Sequence, residues 1–563
     1  VYNWISSFDP SRLIQYERAI FEDGMPNTDI YCPMYMNYED CEKYVSTNPT
    51  KPLIQCEYAH AMGNSMGGFK EYWDLIRKYS VYQGGFIWDF ADQSIRMKHD
   101  GKEMYLYGGD FNPYDAHDWN FCNNGLVSPD RIPNPHMDEV GYWHQSVWTI
   151  DEDVAEGQVG IFNEYFFRDL SNCRMHWSVV CNGRNVRSGI IENLDIAPQQ
   201  IRKFKLPYSI SEFSDKGELF LNVEYRLKDA EALLPAGFRI ARQQLLIRNY
   251  EFPPNALSNR RVDCYTTDNN ITIYENDRNY LCVGNERVRI DFRRKDGFMT
   301  RYEVDGISFL APGFALTSNF WRAPTDNDFG AQVPTKHAVW RNPKMKVSGL
   351  SSEIKNGMAV ITVKYDLPEV LADIKVEYTI NNAGEIAVRQ TINAKENTSV
   401  PHMLRFGMRM VMPKDFEYIN YYGRGPIENY ADRKLSQPIG LYCQTVDEQF
   451  YAYIRPQETG TKSDIRWWHQ GNQSGLGIRI ISPEPFAVSA LHYSQESLDE
   501  GLEKRNRHSV EIAKDSYVWL CIDKIQSGLG CIDSWISVPM EKYRLPYGDY
   551  TFEFKLIPTD ILY

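Results

Sequence analysis

The segment Pro52-Leu-Ile-Gln-Cys-Glu57-Tyr-Ala-His60-Ala-Met-Gly-Asn64-Ser-Met-Gly-Gly68 constrains the fold more than any other part of the chain. An apolar β run (Leu53, Ile54, Cys56) ends in a carboxylate, an imidazole and a glycine-rich turn. A helical pattern follows at once. A strand with an acidic tip that feeds into a helix is how an α/β barrel presents a reactive group at the carboxyl end of a strand. The helix is read from Phe69, Tyr72, Trp73 and Ile76 at i, i+3, i+4 and i+7, with Asn64 or Ser65 as its expected cap.

The segments on either side repeat this pattern. Short apolar runs at 13–16, 30–35, 53–58 and 84–90 are expected to be buried parallel strands. Four strands cannot close a barrel of eight, so residues 1–146 read as the last four strands of a (β/α)8 TIM barrel. The opening Val1-Tyr-Asn-Trp-Ile reads as mid-helix, without a start Met or signal peptide, so the chain is expected to be a piece of something longer.

At about residue 147 the helical patterns give way to strands. Runs at 158–167, 174–181, 200–206 and 218–227 suggest an immunoglobulin-like β-sandwich over 147–252. Phe252-Pro-Pro-Asn-Ala-Leu reads as a linker. Residues 253–563 are strand-rich, with turn signals at Lys295-Asp-Gly297, Val304-Asp-Gly306 and Asn381-Asn-Ala-Gly384. A large antiparallel β-sandwich is expected there. The fold class is therefore multidomain: α/β, then all-β.

Several function classes are disfavoured. The net charge is −14 and Lys and Arg are scattered, which argues against a nucleic-acid or anionic-membrane surface. No uncharged apolar run reaches the roughly 18 residues of a membrane span. The 11 Cys include no C-x-x-C, against a disulfide framework or a structural zinc site. Asp326-Asn-Asp-Phe-Gly330 superficially suggests a calcium loop. However, its third acidic position is absent, and His337 stands where the closing Glu belongs.

Glu57 in an apolar strand is costly to bury alone. A structural ion pair and a catalytic carboxylate both satisfy that pattern, and His60 is equally open between a core and a functional role. The other strand ends add Met34-Tyr35 and Trp88-Asp89. One rim would then carry a carboxylate, a phenol, an imidazole and an indole, a set suited to binding and cleaving a polyhydroxylated ring. Aromatics at 14% fit a sugar cleft, but they fit an all-β domain as well.

The blocks Asp9-Pro-Ser-Arg12, Cys32-Pro-Met-Tyr35, Cys56 to Asn64, Gly84-Gly-Phe-Ile-Trp-Asp89, Gly108-Gly-Asp110 and Phe121-Cys-Asn-Asn-Gly125 occur in one order. Trp321-Arg-Ala-Pro-Thr-Asp-Asn-Asp-Phe-Gly330, Tyr422-Gly-Arg-Gly-Pro-Ile-Glu-Asn-Tyr430 with Asp432-Arg433, and Asp533-Ser-Trp535 follow. From end to end the chain resembles the large β-galactosidases of glycoside hydrolase family 2.

The resemblance implies roles. Glu57 corresponds to the nucleophile that forms a covalent galactosyl-enzyme, giving hydrolysis of terminal β-D-galactosides with retention. Tyr35 corresponds to the tyrosine bonded to the nucleophile, and His60 to the histidine that holds galactosyl hydroxyls. Trp88 corresponds to the tryptophan beneath the galactose, and Trp535 to the one that stacks on the aglycone. Met34 joins them on the substrate-binding rim. The Phe121 carbonyl and Asn124 correspond to ligands of a sodium ion that touches the sugar, and Gly330 to a loop hinge. Tyr422, Arg424 and Glu428 are read as packing residues.

The resemblance also implies what is missing. The family's acid/base Glu follows an Asn in a Gly-Asn-Glu-Ser-Gly context, which this sequence does not contain. The magnesium ligands and the third sodium ligand belong to the same earlier region. Mg2+ and Na+ are therefore expected of a parent enzyme, with the Mg2+ site outside this chain. The chain alone is expected to be nearly inactive. Its expected partners are a lactose-like β-galactoside, the N-terminal half of the enzyme and further copies in an oligomer. Whether the parent is cytoplasmic or periplasmic is left open. Alternatives are another family 2 activity, β-glucuronidase or β-mannosidase, and a non-catalytic carbohydrate-binding or complementing module.

Overall fold

The strand Leu53–Tyr58 pairs in parallel with Tyr82–Ile87. Residues 31–35 run parallel along its other edge. Tyr31 N–H donates to Pro52 O, Ile54 N–H to Tyr31 O, Cys56 N–H to Pro33 O and Tyr35 N–H to Glu57 O. The arc continues past Ile87, where Leu126 N–H donates to Asp89 O and Val127 N–H to Phe90 O. Four parallel segments thus form one curved arc, a partial barrel. The computed structural model describes residues 1–21, 24–99, 101–112, 114–259, 270–395 and 399–559.

Two expectations change here. Residues 13–16 are not a strand. Leu13 is 73% exposed and Tyr16 59%, so this run buries no apolar face. The fourth parallel segment is instead 126–127, too short to stand out as an apolar run. The helix Phe69–Lys78 forms as expected, with Phe69, Tyr72 and Leu75 packed on Tyr58 and Tyr82. Its N-cap is Gly68, and neither Asn64 nor Ser65 caps it. Both side chains are buried, and the Asn64 amide is spent on Tyr430 and Glu458 far along the chain.

Next comes a two-sheet sandwich. Arg239–Arg248, Leu219–Leu227, Cys173–Cys181 and Arg184–Ile191 form one antiparallel sheet. Val147–Asp153, Gln158–Asn163 and Ile201–Lys205 form the other. Alternate residues Met175, Trp177, Val179, Leu221, Val223 and Tyr225 fill the space between them. Each such side chain stabilises the fold by about 1.5–3 kcal/mol. The strand expected over 158–167 stops at Asn163, whose amide turns to the carbonyls of Arg168 and Ile196.

Residues 270–559 build a five-stranded and a twelve-stranded sheet, antiparallel throughout, over one large core. The turn signals fall where expected. Gly297 lies between Val288–Arg293 and Met299–Val304, Asp305-Gly306 between Met299–Val304 and Ile307–Ser308, and Gly384 between Ala372–Ile380 and Ile386–Ala394. Residues 252–257 are irregular, as a linker would be. Among the described residues no helix is long and apolar enough to cross a membrane.

Candidate active site

Glu57 stands at the carboxyl end of its strand, half-buried, bridged through its backbone to Met34. Tyr35 follows with φ +49°, and Ala59 takes φ +53° just past Glu57. Non-glycine residues held in the left-handed region cost about 1–3 kcal/mol each, and such strain gathers at functional sites. Burial, and then a hydrogen bond to Glu57, push the Tyr35 hydroxyl well above its usual range. The phenol therefore stays protonated and donates to the carboxylate.

An aromatic wall rises beside this pair. The rings of Tyr35 and Trp535 meet edge-on at 4.8 Å, those of His60 and Trp535 at 5.3 Å, and those of His60 and Phe121 at 5.4 Å. Trp535 is 44% exposed and Phe121 38%, so the wall keeps an open apolar face. Asp533 fixes the Trp535 turn by accepting from the N–H groups of Trp535, Ile536 and Ser537. Met34 is exposed on the same rim. Trp88 sits one strand over, its N–H on Tyr58 O and its carbonyl accepting from Ala61 N–H. Its ring is half-exposed and stands apart from the ring cluster of Tyr35, His60, Phe121 and Trp535.

The loop that carries His60 is gripped by the large β domain. Asn64 N–H donates to Gln457 Oε1, and its amide donates to Tyr430 Oη and Glu458 O. Arg433 donates to Ser65 O at 2.6 Å. Gly67 N–H meets Gly530 O, and Gly68 N–H meets Asp432 O. A Cβ at Gly67 would lie 2.1 Å from the Asp432 carboxylate, which explains the glycine. Asp432 in turn accepts from Leu529 and Gly530 N–H. Glu428, read from sequence as packing, anchors this clamp through its ion pair with Arg433.

Asp326 and Asp328 are taken up by buried cations. Asp328 pairs with Arg322, and Asp326 with Arg455 and Lys504. Burial alone would raise the Asp326 carboxyl, but Arg455 and Lys504 hold it well below the carboxylate range. These pairings leave no calcium loop. Gly330 ends the helix Asp326–Gly330, directly against the Trp535 turn. A Cβ there would lie 2.0 Å from Ser534 O and 2.7 Å from Trp535 N. Gly330→Ala should push helix and turn apart at a cost of about 1–3 kcal/mol. The expected result is a lower melting temperature and a shift in the Trp535 emission, read as a difference against Trp535→Phe. An unchanged melt would mean that the contact is slack.

Two buried histidines make this region acid-sensitive. Burial pushes His60 down to about 4 and His136 down to about 3, with Arg433 adding to the effect on His136. Both are neutral when folded and take up protons on unfolding. The stability they contribute is whole above their ordinary pKa near 6.5 and is lost as pH falls toward those values. By pH 5 each loss is on the order of 2 kcal/mol. Thermal melts between pH 7.5 and 4.5 should show the decline, and His136→Gln should make it shallower.

Asn124 tests the expected sodium site. Its Nδ2 donates to Phe121 O at 3.0 Å, while its Oδ1 is buried without a partner. An orphaned oxygen beside a backbone carbonyl fits a hard cation that takes oxygen ligands. Among the described residues no three His, Cys, Asp or Glu side chains group to hold a metal.

The structure gathers Met34, Tyr35, Glu57, His60, Phe121, Asn124 and Trp535 from widely separated blocks. Sequence reasoning missed Asn327, Asp432, Arg433, Gln457 and Ser534 as parts of the site. Each lies hundreds of residues from Glu57, beyond the reach of any local spacing. The signal for four of them was only that they fall in or beside the matching blocks.

Comparison with known proteins agrees with this architecture. Residues 1–149 match the family model for the glycosyl hydrolases family 2 TIM barrel domain. Residues 159–248 match the one for β-galactosidase domain 4, and 284–556 the one for the β-galactosidase small chain. A β-galactosidase of Priestia megaterium is 32% identical over 99% of this chain and 52% of its own length. Those of Pseudoalteromonas haloplanktis (30%; 99% and 54%) and Photobacterium profundum (32%; 99% and 55%) are similar. The chain spans about half the length of these relatives. In its three successive domains it belongs to glycoside hydrolase family 2, as a C-terminal portion of the β-galactosidase type.

Proposed function

We propose that this chain supplies the nucleophile half of a retaining β-galactosidase. The observation that carries the reading is Glu57 at the tip of a parallel strand, in hydrogen-bond contact with a protonated Tyr35 and beside the wall of His60, Phe121 and Trp535. Glu57 attacks the anomeric carbon and is released from the sugar by water. Tyr35 donates to the carboxylate and holds it correctly turned. His60 and Trp535 grip the sugar and its leaving group. A retaining site needs a second carboxyl about 5–5.5 Å from the first, and we assign that acid/base role to no residue of this chain. Phe121 and Asn124 would hold a sodium ion, whose chemistry is to bind a sugar hydroxyl. The galactoside class rests on the named activity of the relatives.

The test is hydrolysis of nitrophenyl glycosides by the chain alone and after addition of the barrel half its relatives carry. Loss of general acid help costs roughly 10²–10⁴-fold. The chain alone should be near background, and the mixture should cleave the β-galactoside in preference to β-glucuronide and β-mannoside. Strong turnover by the chain alone overturns the half-site reading. Preference for another glycoside overturns the galactoside reading.

A second reading, a complementing module, draws on the open arc. Phe86 is 63% exposed, Phe90 62% and Met34 44%. Exposed apolar rims and unpaired strand edges favour association. Light scattering should therefore give a mass above one chain, falling to a defined complex once the other half is added.

A further inference from the structure

Ser534 Oγ lies 2.7 Å from His60 Nδ1 and 2.6 Å from Asn327 Oδ1. Asn327 Nδ2 donates to Leu529 O at 3.0 Å and Gly530 O at 3.2 Å. These two carbonyls settle the orientation of the Asn327 amide, because the flipped amide would set its oxygen against both of them. Oδ1 therefore faces Ser534 as an acceptor. A serine hydroxyl has one proton to donate. With that proton on Asn327 Oδ1, Ser534 meets His60 as an acceptor, and the proton between them belongs to Nδ1.

We propose that Asn327, acting through Ser534, is a positioning residue that locks His60 in the Nδ1–H tautomer and leaves Nε2 as a hydrogen-bond acceptor. The proposal rests on the sugar-cleaving reading for its use and on local geometry for its substance. An Nε2 acceptor selects a ligand hydroxyl that donates, and it disfavours a carbonyl, ether or carboxylate oxygen in that place. A polyol ring meets this demand, whereas a uronic-acid carboxylate at the same point does not. The three residues involved are tightly enclosed. His60 is 1% exposed, Asn327 4% and Ser534 5%. Water does not readily substitute for one link of such a relay. The backbone at 529–530 is fixed by Asp432, so the His60 proton is set by a chain of bonds that begins in the large β domain.

The test is the 15N spectrum of histidine ring nitrogens in the 563-residue chain, with His60 assigned from its loss in His60→Gln. Wild type should show a protonated Nδ1 and a bare Nε2. Ser534→Thr keeps the hydroxyl and should keep that pattern. Asn327→Leu frees the serine proton to point at the imidazole and should move the histidine proton to Nε2. Circular dichroism on each variant separates this shift from unfolding, and Ser534→Thr remains informative should Asn327→Leu fail to fold. An Nε2–H signature in wild type overturns the proposal, as does an Asn327→Leu protein that stays folded with Nδ1–H. The spectrum needs no turnover, so a failed activity assay leaves this result standing on its own. In the completed enzyme, Asn327→Leu should lower kcat/KM for the galactoside about tenfold, the loss of one well-made hydrogen bond.

Discussion

Glu57→Gln, in an enzyme completed with the other barrel half, should hydrolyse nitrophenyl β-galactoside at least about 10⁴-fold more slowly than its parent. Gln preserves the shape of Glu and the hydrogen bond to Tyr35, and it lacks only the charge that attacks the sugar. Stability should hardly change, since Glu57 is half-buried and its backbone pairing to 34–35 does not involve the side chain. A cooperative melt close to that of the parent, with activity lost, separates chemistry from folding. Glu57→Gly sharpens the assignment. Azide can enter the vacated space and attack from the same face as the carboxylate did, giving α-galactosyl azide. The β anomer would instead place Glu57 on the leaving-group side and make it the acid/base. Near-parental activity in Glu57→Gln would remove Glu57 from the reaction altogether.

Much of this site was legible because parallel-barrel chemistry leaves a local trace. An apolar run must end where its strand leaves the core, and the residue at that tip is exposed to the active-site rim. Glu57, Tyr35 and Trp88 all sit at such endings. The immunoglobulin-like unit was legible for a related reason: alternation in Cys173–Cys181 and Leu219–Leu227 records a sheet with one dry face. Residues 13–16 failed by the same rule, because an apolar run reports burial only where a partner surface exists. Asn64 failed as a cap because its amide is taken by Tyr430 and Glu458 far along the chain, and Ser65 because its hydroxyl turns back to Gly63 O. The clamp itself left no local trace. Its members bond each other across the molecule, and a buried Arg such as Arg433 reads in sequence as an ordinary surface charge.

The clamp yields the other large effect. Arg433 is 2% exposed, donates to Ser65 O and pairs with Glu428 at 2.9 Å. Arg433→Met leaves the Glu428 carboxylate buried without its cation, at a cost of about 3–5 kcal/mol. Tyr453, Thr459 and the Gly460 N–H still donate to that carboxylate, but neutral donors do not replace a paired charge. The melting temperature should fall by several degrees and activity should fall with it. Those two losses have different causes, and a second substitution separates them. Arg433→Met with Glu428→Gln removes the stranded charge, so most of the stability should return. The bond from Arg433 to Ser65 does not return, and the loop between Glu57 and Gly68 stays loose at that point. The double variant should therefore melt near the parent yet keep a kcat/KM about tenfold low, as for a lost charged hydrogen bond. If both stability and activity return, the ion pair serves folding alone and the grip on Ser65 does not position His60. If stability returns and activity does not, the large β domain takes part in catalysis by holding still the loop that follows the nucleophile.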